Sequence, residues 1–366
     1  MSLRESTGFM DNDGMNIARA SFGKLLDGVE ISKYILQNRH GLSLGVIPFG
    51  AAITEFYMPD RRGNFDNIVL GYDRLNDYID DPHNFGGTMG RFANRIAHGR
   101  FTLNGKEYRL VQNDGDHHLH GGHRRFNKVL WEAVPQQDDD SVGIVFSYIS
   151  KNGEENYPGN LKISVTYRLN NSNEVFFIYS AQTDQETPVN LTNHAYWNLK
   201  GADKGRILDH RLTLNCTRCL ETTDTLIPTG RILSVRNSPL DFTTEKSIGD
   251  DIKATGNGYD HCFVINESSA MDEGQLKYAA RVLEPNSGRC MTVFTDQPGI
   301  QFYTGNFLNN VAGARGNRYD RHHALCLETQ NFPDAVNQAG FPNPYLKPGS
   351  IYTTTTMHRF FLMKPS

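Results

Sequence analysis

The 366-residue chain is short of several things, and each shortage removes a class of protein. It has five cysteines, Cys216, Cys219, Cys262, Cys290 and Cys326. That number is odd and too sparse for a disulfide framework, which points to a reducing compartment and a cytoplasmic location. No apolar run approaches the roughly 18 residues that a membrane span needs, and the mean hydropathy is −0.52. The polar start MSLRESTGFMDNDGMNIARA lacks the apolar stretch of a secretory signal. Charge of one sign is not in excess either: 37 Lys+Arg against 41 Asp+Glu leave a net −4. Neither nucleic acid nor an anionic membrane is therefore an expected partner. Phosphate-cradling GxxxxGK and G-x-G-x-x-G loops are missing, and so is the G-x-S-x-G elbow. Nucleotide cofactors and serine-dependent acyl transfer thus have no anchor.

What is present is β pattern. In GRFTLNGKEYRLV, Phe101 and Leu103 alternate up to Asn104-Gly105, and Tyr108 and Leu110 alternate away from it, as a type I′ hairpin requires. KISVTYRL and EVFFIYSA form a second pair joined at Asn170–Asn173, with Ile163, Val165, Tyr167 and Leu169 on one face. VLWEAV and VGIVFSYIS form a third across Asp138–Asp140. Further strands are expected in SLGVIPFGAAITEFYM, RLTLNC, CFVIN, CMTVFTD, GIQFYTG and SIYTTTTMHRFFLM. Short strands set off by turn residues, among them 34 glycines and 15 prolines, predict an all-β, antiparallel sandwich or barrel with few short helices. No repeat or linker divides the chain. The first 24 or so residues and the stretch 200–258 are expected to hold short helices or long loops. The organisation expected is a polar extension over 1–28 and a single domain over 29–366.

Two clusters invite a metal or redox reading. His117, His118, His120 and His123 lie together in DHHLHGGH, and His118-x-His120 puts two rings on one face of a strand. A cupin-like metal site would follow with a carboxylate, whereas this chain continues GGHRRFN, so substrate-contacting or surface histidines fit better. Gly121-Gly122 would let backbone approach a ligand closely. Cys216-x-x-Cys219 has no second pair to complete a zinc site and no strand-to-helix turn for redox chemistry, so buried structural thiols are expected.

What remains is a set of segments dense in amides, histidines, carboxylates and aromatics: MGRFANRIAHGRF, LHGG, PVNLTNHAYWNL, GYDHCFVI, QPGIQFYTGN and CLETQNFPDA. Bidentate polar side chains meet hydroxyls while an aromatic covers a C–H face, a mixture suited to a sugar ring. Taken singly, each segment also reads as a strand end with satisfied polar groups.

In this order the segments closely resemble the aldose 1-epimerase family over nearly the whole chain, from Ile31 to Leu362, with NLTNHAYWNL and LETQNFPDA the most specific. The resemblance implies a large β-sandwich of galactose mutarotase type with an open cleft on one sheet. It implies interconversion of the α and β anomers of free aldohexoses such as galactose and glucose, without metal or organic cofactor. Position by position it makes Glu328 the general base and His194 the general acid, and it gives sugar contacts to Asn94, Arg95, His120, Tyr196, Asp260 and Gln301. Trp197 and the long N-terminus depart from the pattern without touching these positions. The chemistry asks for an ionised Glu328 and a His194 able to donate, with pKa values bracketing neutrality. The expected partner is a small sugar, and the expected state is a monomer or weak homodimer. Two rivals stand beside this reading: an epimerase of a phosphorylated hexose, which needs a cationic cluster, and a sugar-binding module without turnover.

Overall fold

A computed structural model describes residues 9–10, 14–267 and 276–364 of the chain. Its architecture is antiparallel β. The first sheet is a meander of six strands, Phe9–Met10, Asn16–Lys24, Glu30–Gln37, Ser43–Ile47, Ala52–Pro59 and Phe65–Asn67. A nine-stranded sheet runs in the order Glu132–Gln137, Ser141–Ser150, Leu161–Asn170, Glu174–Thr183, Tyr352–Leu362, Arg289–Thr295, Lys277–Leu283, Arg211–Leu214 and Lys246–Ser247. A five-stranded sheet has the order Pro228–Ser234, Arg218–Thr222, Asp260–Val264, Gly299–Tyr303 and Cys326–Gln330. One short α-helix, Leu75–Ile79, occurs among the described residues.

The alternation in the sequence becomes the packing. Along Leu161–Asn170 every second residue is buried, so Ile163, Val165 and Tyr167 enter a core shared with Leu44, Val46 and Phe56 of the first sheet. Phe263, Ile300, Phe302 and Leu327 of the five-stranded sheet enter the same core. Burying each such side chain contributes about 1.5–3 kcal/mol. The three expected hairpins form, and Asn104 and Gly105 take φ of 51° and 75° as a type I′ turn demands.

Two expectations change. Residues 16–24 are a strand rather than helix or loop, paired with Glu30–Gln37. The expected boundary at 28/29 therefore falls in the turn of a hairpin. This strand is mostly exposed or half-buried, so its polar composition hides it from a search for apolar periodicity. Residues 1–8 and 11–13 of the expected extension lie outside the described residues. The stretch 200–258 has a short 3₁₀ helix, Ile252–Thr255, and the strand expected at RLTLNC, but also three strands that were not expected, Arg218–Thr222, Pro228–Ser234 and Lys246–Ser247. The segment SLGVIPFGAAITEFYM folds back on itself at Pro48–Ala51 into two strands.

Candidate active site

The five-stranded sheet supplies the floor of a cleft of about 150 Å³. By the same measure this is room for roughly ten waters. Gln301 sits directly opposite Glu328 in the register, Cys262 opposite Gln301, and Asp260 opposite Tyr303. The period of two places Asp260, Gln301, Tyr303 and Glu328 on one face, while Phe263, Ile300, Phe302 and Leu327 point into the core. A mostly apolar underside thus carries a polar upper row. Gln301 Nε2 donates to Asp260 Oδ1 at 2.6 Å. Gln301 Oε1 and Glu328 Oε2 are buried without a hydrogen-bond partner, two acceptors left for the hydroxyls of a ligand.

His194 reaches this floor through backbone pairing. Trp197, buried to 1% exposure, exchanges both backbone hydrogen bonds with Leu325, at 2.7 and 3.0 Å. On its other side, the His194 N–H donates to the Gly87 carbonyl and the His194 carbonyl accepts from Gly86 N–H. The imidazole is thereby fixed with Nε2 at 3.7 Å from Glu328 Oε1, stacked on Tyr196 at 5.1 Å and edge-on to His120 at 5.4 Å. The other polar residues of NLTNHAYWNL are staples. Asn190 Nδ2 donates to the Ala93 and Asn331 carbonyls, Asn193 Nδ2 to that of Gly86, and Asn198 Nδ2 to those of Gly205 and His323.

Asn94 and His120 both adopt left-handed φ, 62° and 55°. The His120 N–H donates to the Asn94 carbonyl, and the Asn94 N–H donates to His120 Nδ1 at 3.1 Å. Because Nδ1 accepts, the ring proton of neutral His120 is on Nε2. Arg95 Nε pairs with Asp114 Oδ2 at 2.8 Å. The tail of LETQNFPDA clamps this turn: Asp334 N–H donates to the Arg95 carbonyl, and Asp334 Oδ1 accepts from Ala97 N–H at 2.9 Å.

Burial governs the electrostatics. Desolvation, reinforced by Asp260, pushes the Glu328 carboxyl well above its usual range, against the nearby Arg95 charge. Desolvation lowers His194 to about 3 and holds His120 well down as well, with the neighbouring His194 adding to it. Burial therefore favours a protonated Glu328 beside a neutral His194, whereas the chemistry expected from the sequence asks for an ionised Glu328. The reason is burial: at 3% and 6% exposure neither charge keeps its hydration.

All eight residues expected at the site line this one cleft, together with Pro82, His83, Asn84, Leu119, Tyr303 and Phe307. Tyr303 was legible two residues after Gln301 on the same strand. His83 and Asn84, on the loop after the short helix, carry no sequence signal. The paired-histidine reading fails, since His118 Nδ1 is taken by the Val111 carbonyl and Nε2 by Tyr157 Oη, each at 2.7 Å. The two glycines serve other backbone and side chains rather than a ligand: a Cβ on Gly121 would lie 1.9 Å from the Gly90 carbonyl oxygen, and one on Gly122 would meet Glu155. All five cysteines are free and buried. One ligand atom each of His194, Cys326 and Glu328 lie within 4.8 Å of one another. Cys326 stays outside the cleft lining and burial keeps its thiol protonated, so the trio does not fit a metal ion.

Comparison with known proteins agrees with this geometry. Residues 32–359 match the family described as aldose 1-epimerase. The chain is 44% identical to galactose mutarotase of Sus scrofa over 349 residues, 94% of this chain and 99% of that protein. It is 32% identical to aldose 1-epimerase of Escherichia coli K12, over 91% of this chain and 96% of that one. Among solved structures it resembles an aldose epimerase homologue from C. elegans, with a TM-score of 0.82 and 31% identity over 89% and 98% of the two chains. It also resembles galactose 1-epimerase from Lactobacillus acidophilus, with a TM-score of 0.84 and 25% identity over 95% and 99%.

Proposed function

The chain belongs to the aldose 1-epimerase family, and we propose that it interconverts the α and β anomers of free aldohexoses, galactose and glucose among them, with Glu328 and His194 as its acid/base pair. The observation that carries this reading is the 3.7 Å separation of His194 Nε2 and Glu328 Oε1 in a cleft otherwise lined by hydroxyl-matching side chains.

With the O1–C1–O5 edge of a pyranose laid across the pair, Glu328 takes the proton of the C1 hydroxyl and His194 gives one to the ring oxygen. The C1–O5 bond breaks and an aldehyde forms. After rotation about C1–C2, His194 recovers the proton from O5 and Glu328 returns one to O1 as the ring closes on the other face. The pair holds one proton throughout, ionised before opening and neutral after it. Burial favours the neutral half of this cycle. The Arg95 charge, and sugar hydroxyls donating to Glu328 Oε2, favour the ionised half. Each group contributes roughly 10²–10⁴-fold, about 3–5 kcal/mol. His120, neutral and protonated at Nε2, donates to an oxygen gaining negative charge. Asn94, Asp260 and Gln301 bind hydroxyls, and Tyr196 backs the His194 ring.

A phosphorylated hexose fits less well, because Arg95 is already paired with Asp114 and the floor is acidic. The small neutral substrate, the monomeric or weakly dimeric state and the cytoplasmic location complete the proposal; five free cysteines are consistent with the last. Polarimetry on freshly dissolved α-D-galactose and α-D-glucose tests it, with glucose 6-phosphate as the contrast. Relaxation faster than buffer on the free hexoses, and slower on the phosphate, is expected. Binding without acceleration refutes turnover, and a preference for the phosphate moves the assignment to the rival.

A further inference from the structure

We propose that Cys326 is a positioning residue that keeps a proton on Nδ1 of His194, so that Nε2, the nitrogen facing Glu328, is the one that exchanges protons. The inference rests on the acid/base reading above and adds a residue that does not itself line the cleft.

Cys326 opens the strand that carries Glu328, two residues before it and hence on the same face. Its cross-strand partner is Tyr303, and its side chain is fully buried in the aromatic cluster that includes Tyr196 and Tyr319. From there Sγ lies 3.5 Å from His194 Nδ1. In the neutral half of the acid/base cycle Nε2 has released its proton, so the proton left on the ring is on Nδ1, and the Cys326 sulfur is the acceptor placed to hold it there. On the other edge of the ring Nε2 faces Glu328 Oε1 at 3.7 Å.

A sulfur suits this position better than a carboxylate would. An ionised Asp behind the ring would stabilise the imidazolium, as in a Ser-His-Asp arrangement, and make release of the proton to a ring oxygen harder. The thiol is pushed up by burial and stays neutral, so it fixes the depth and tautomer of the imidazole without adding charge. The two cleft histidines are then complementary. His120, whose Nδ1 accepts from Asn94, presents a fixed N–H, whereas His194 presents the nitrogen that gains and loses a proton.

Long-range ¹H–¹⁵N NMR of the full chain labelled in histidine reads the tautomer directly, and polarimetry supplies kcat and KM. In the wild type, neutral His194 is expected as the Nδ1–H form with a bare Nε2. Cys326→Ser, which keeps an acceptor, should retain that form and most of kcat. Cys326→Ala should mix the tautomers and lower kcat about tenfold at unchanged KM, a fraction of what a general acid contributes. A wild-type His194 carrying its proton on Nε2 overturns the proposal, and so does an alanine variant with wild-type tautomer and kcat. Should the alanine variant not fold, the wild-type and serine spectra still decide. An Nδ1–H wild type without mutarotation would remove the acid/base reading and leave the proton placement standing.

Discussion

Asp334 lies at the end of the most distinctive motif yet outside the cleft, and its substitution separates binding from chemistry. Its carboxylate is buried to 1% exposure and accepts from Ala97 N–H at 2.9 Å, Asn337 Nδ2 at 2.6 Å and Gln338 Nε2 at 3.3 Å. Its backbone is left-handed, with φ of 55°, a conformation that Asp tolerates and Ala resists by about 1 kcal/mol. Asp334→Ala strands the Ala97 N–H, worth about 1–3 kcal/mol, so the total loss is about 3 kcal/mol. With an unfolding entropy near 2.1 cal/mol/K per residue, a chain of 366 residues should lose about 4 °C in Tm. Asn94 and Arg95 ride on the turn that Asp334 holds, so KM for galactose should rise about tenfold, equivalent to one hydrogen bond. The proton-transfer pair is anchored elsewhere, through Trp197 and Leu325, and kcat should stay within about threefold. Asp334→Asn keeps an oxygen toward Ala97 and should fall between. Calorimetry and polarimetry on the three proteins give all the quantities. An alanine variant with wild-type Tm and KM, or one that loses kcat at unchanged KM, refutes the reasoning.

Other consequences follow from burial. Because His194 is lowered to about 3, the one-proton state of the pair persists on acidification, and kcat/KM should stay flat between pH 6 and 5; an acid limb near 6.5 would contradict this. His118, His194 and His358 are held neutral at about 4, 3 and 3, below the unfolded value near 6.5. The unfolded chain therefore binds protons that the folded chain refuses, and stability falls as pH drops below 6.5, by about 2 kcal/mol per group at pH 5. His358→Phe should shrink the Tm difference between pH 7.5 and 5 by about 2.5 °C, and an unchanged difference would count against it. Exhaustive chelation should leave activity intact, since His118 spends both ring nitrogens on Val111 and Tyr157; a loss reversed by a divalent ion would revive the paired-histidine metal site.

Much of this was legible in the chain because strand periodicity and turn chemistry are local. Asn104-Gly105 specifies its hairpin unaided, and the alternation in KISVTYRL names its own buried face. The strand Asn16–Lys24 was hidden because none of its residues is fully buried, so no apolar periodicity marks it. The site residues were found through motif resemblance, and the cross-strand register then explains why Gln301 and Glu328 had to meet. Protonation was the part least visible. A sequence shows which groups titrate, but the inversion of Glu328 and His194 comes from desolvation at 3% and 6% exposure, a property of the packed sheet. The same holds for Cys326, whose contact with His194 spans 132 positions of sequence.

The central claim is that Glu328 and His194 exchange protons with a free hexose. Its most direct measurement is the polarimetric kcat for α-D-galactose of Glu328→Gln and His194→Asn, beside wild type and with folding checked by calorimetry. Losses of about 10²–10⁴-fold in each variant at little-changed KM are predicted, whereas near-normal turnover in either folded variant would contradict the account.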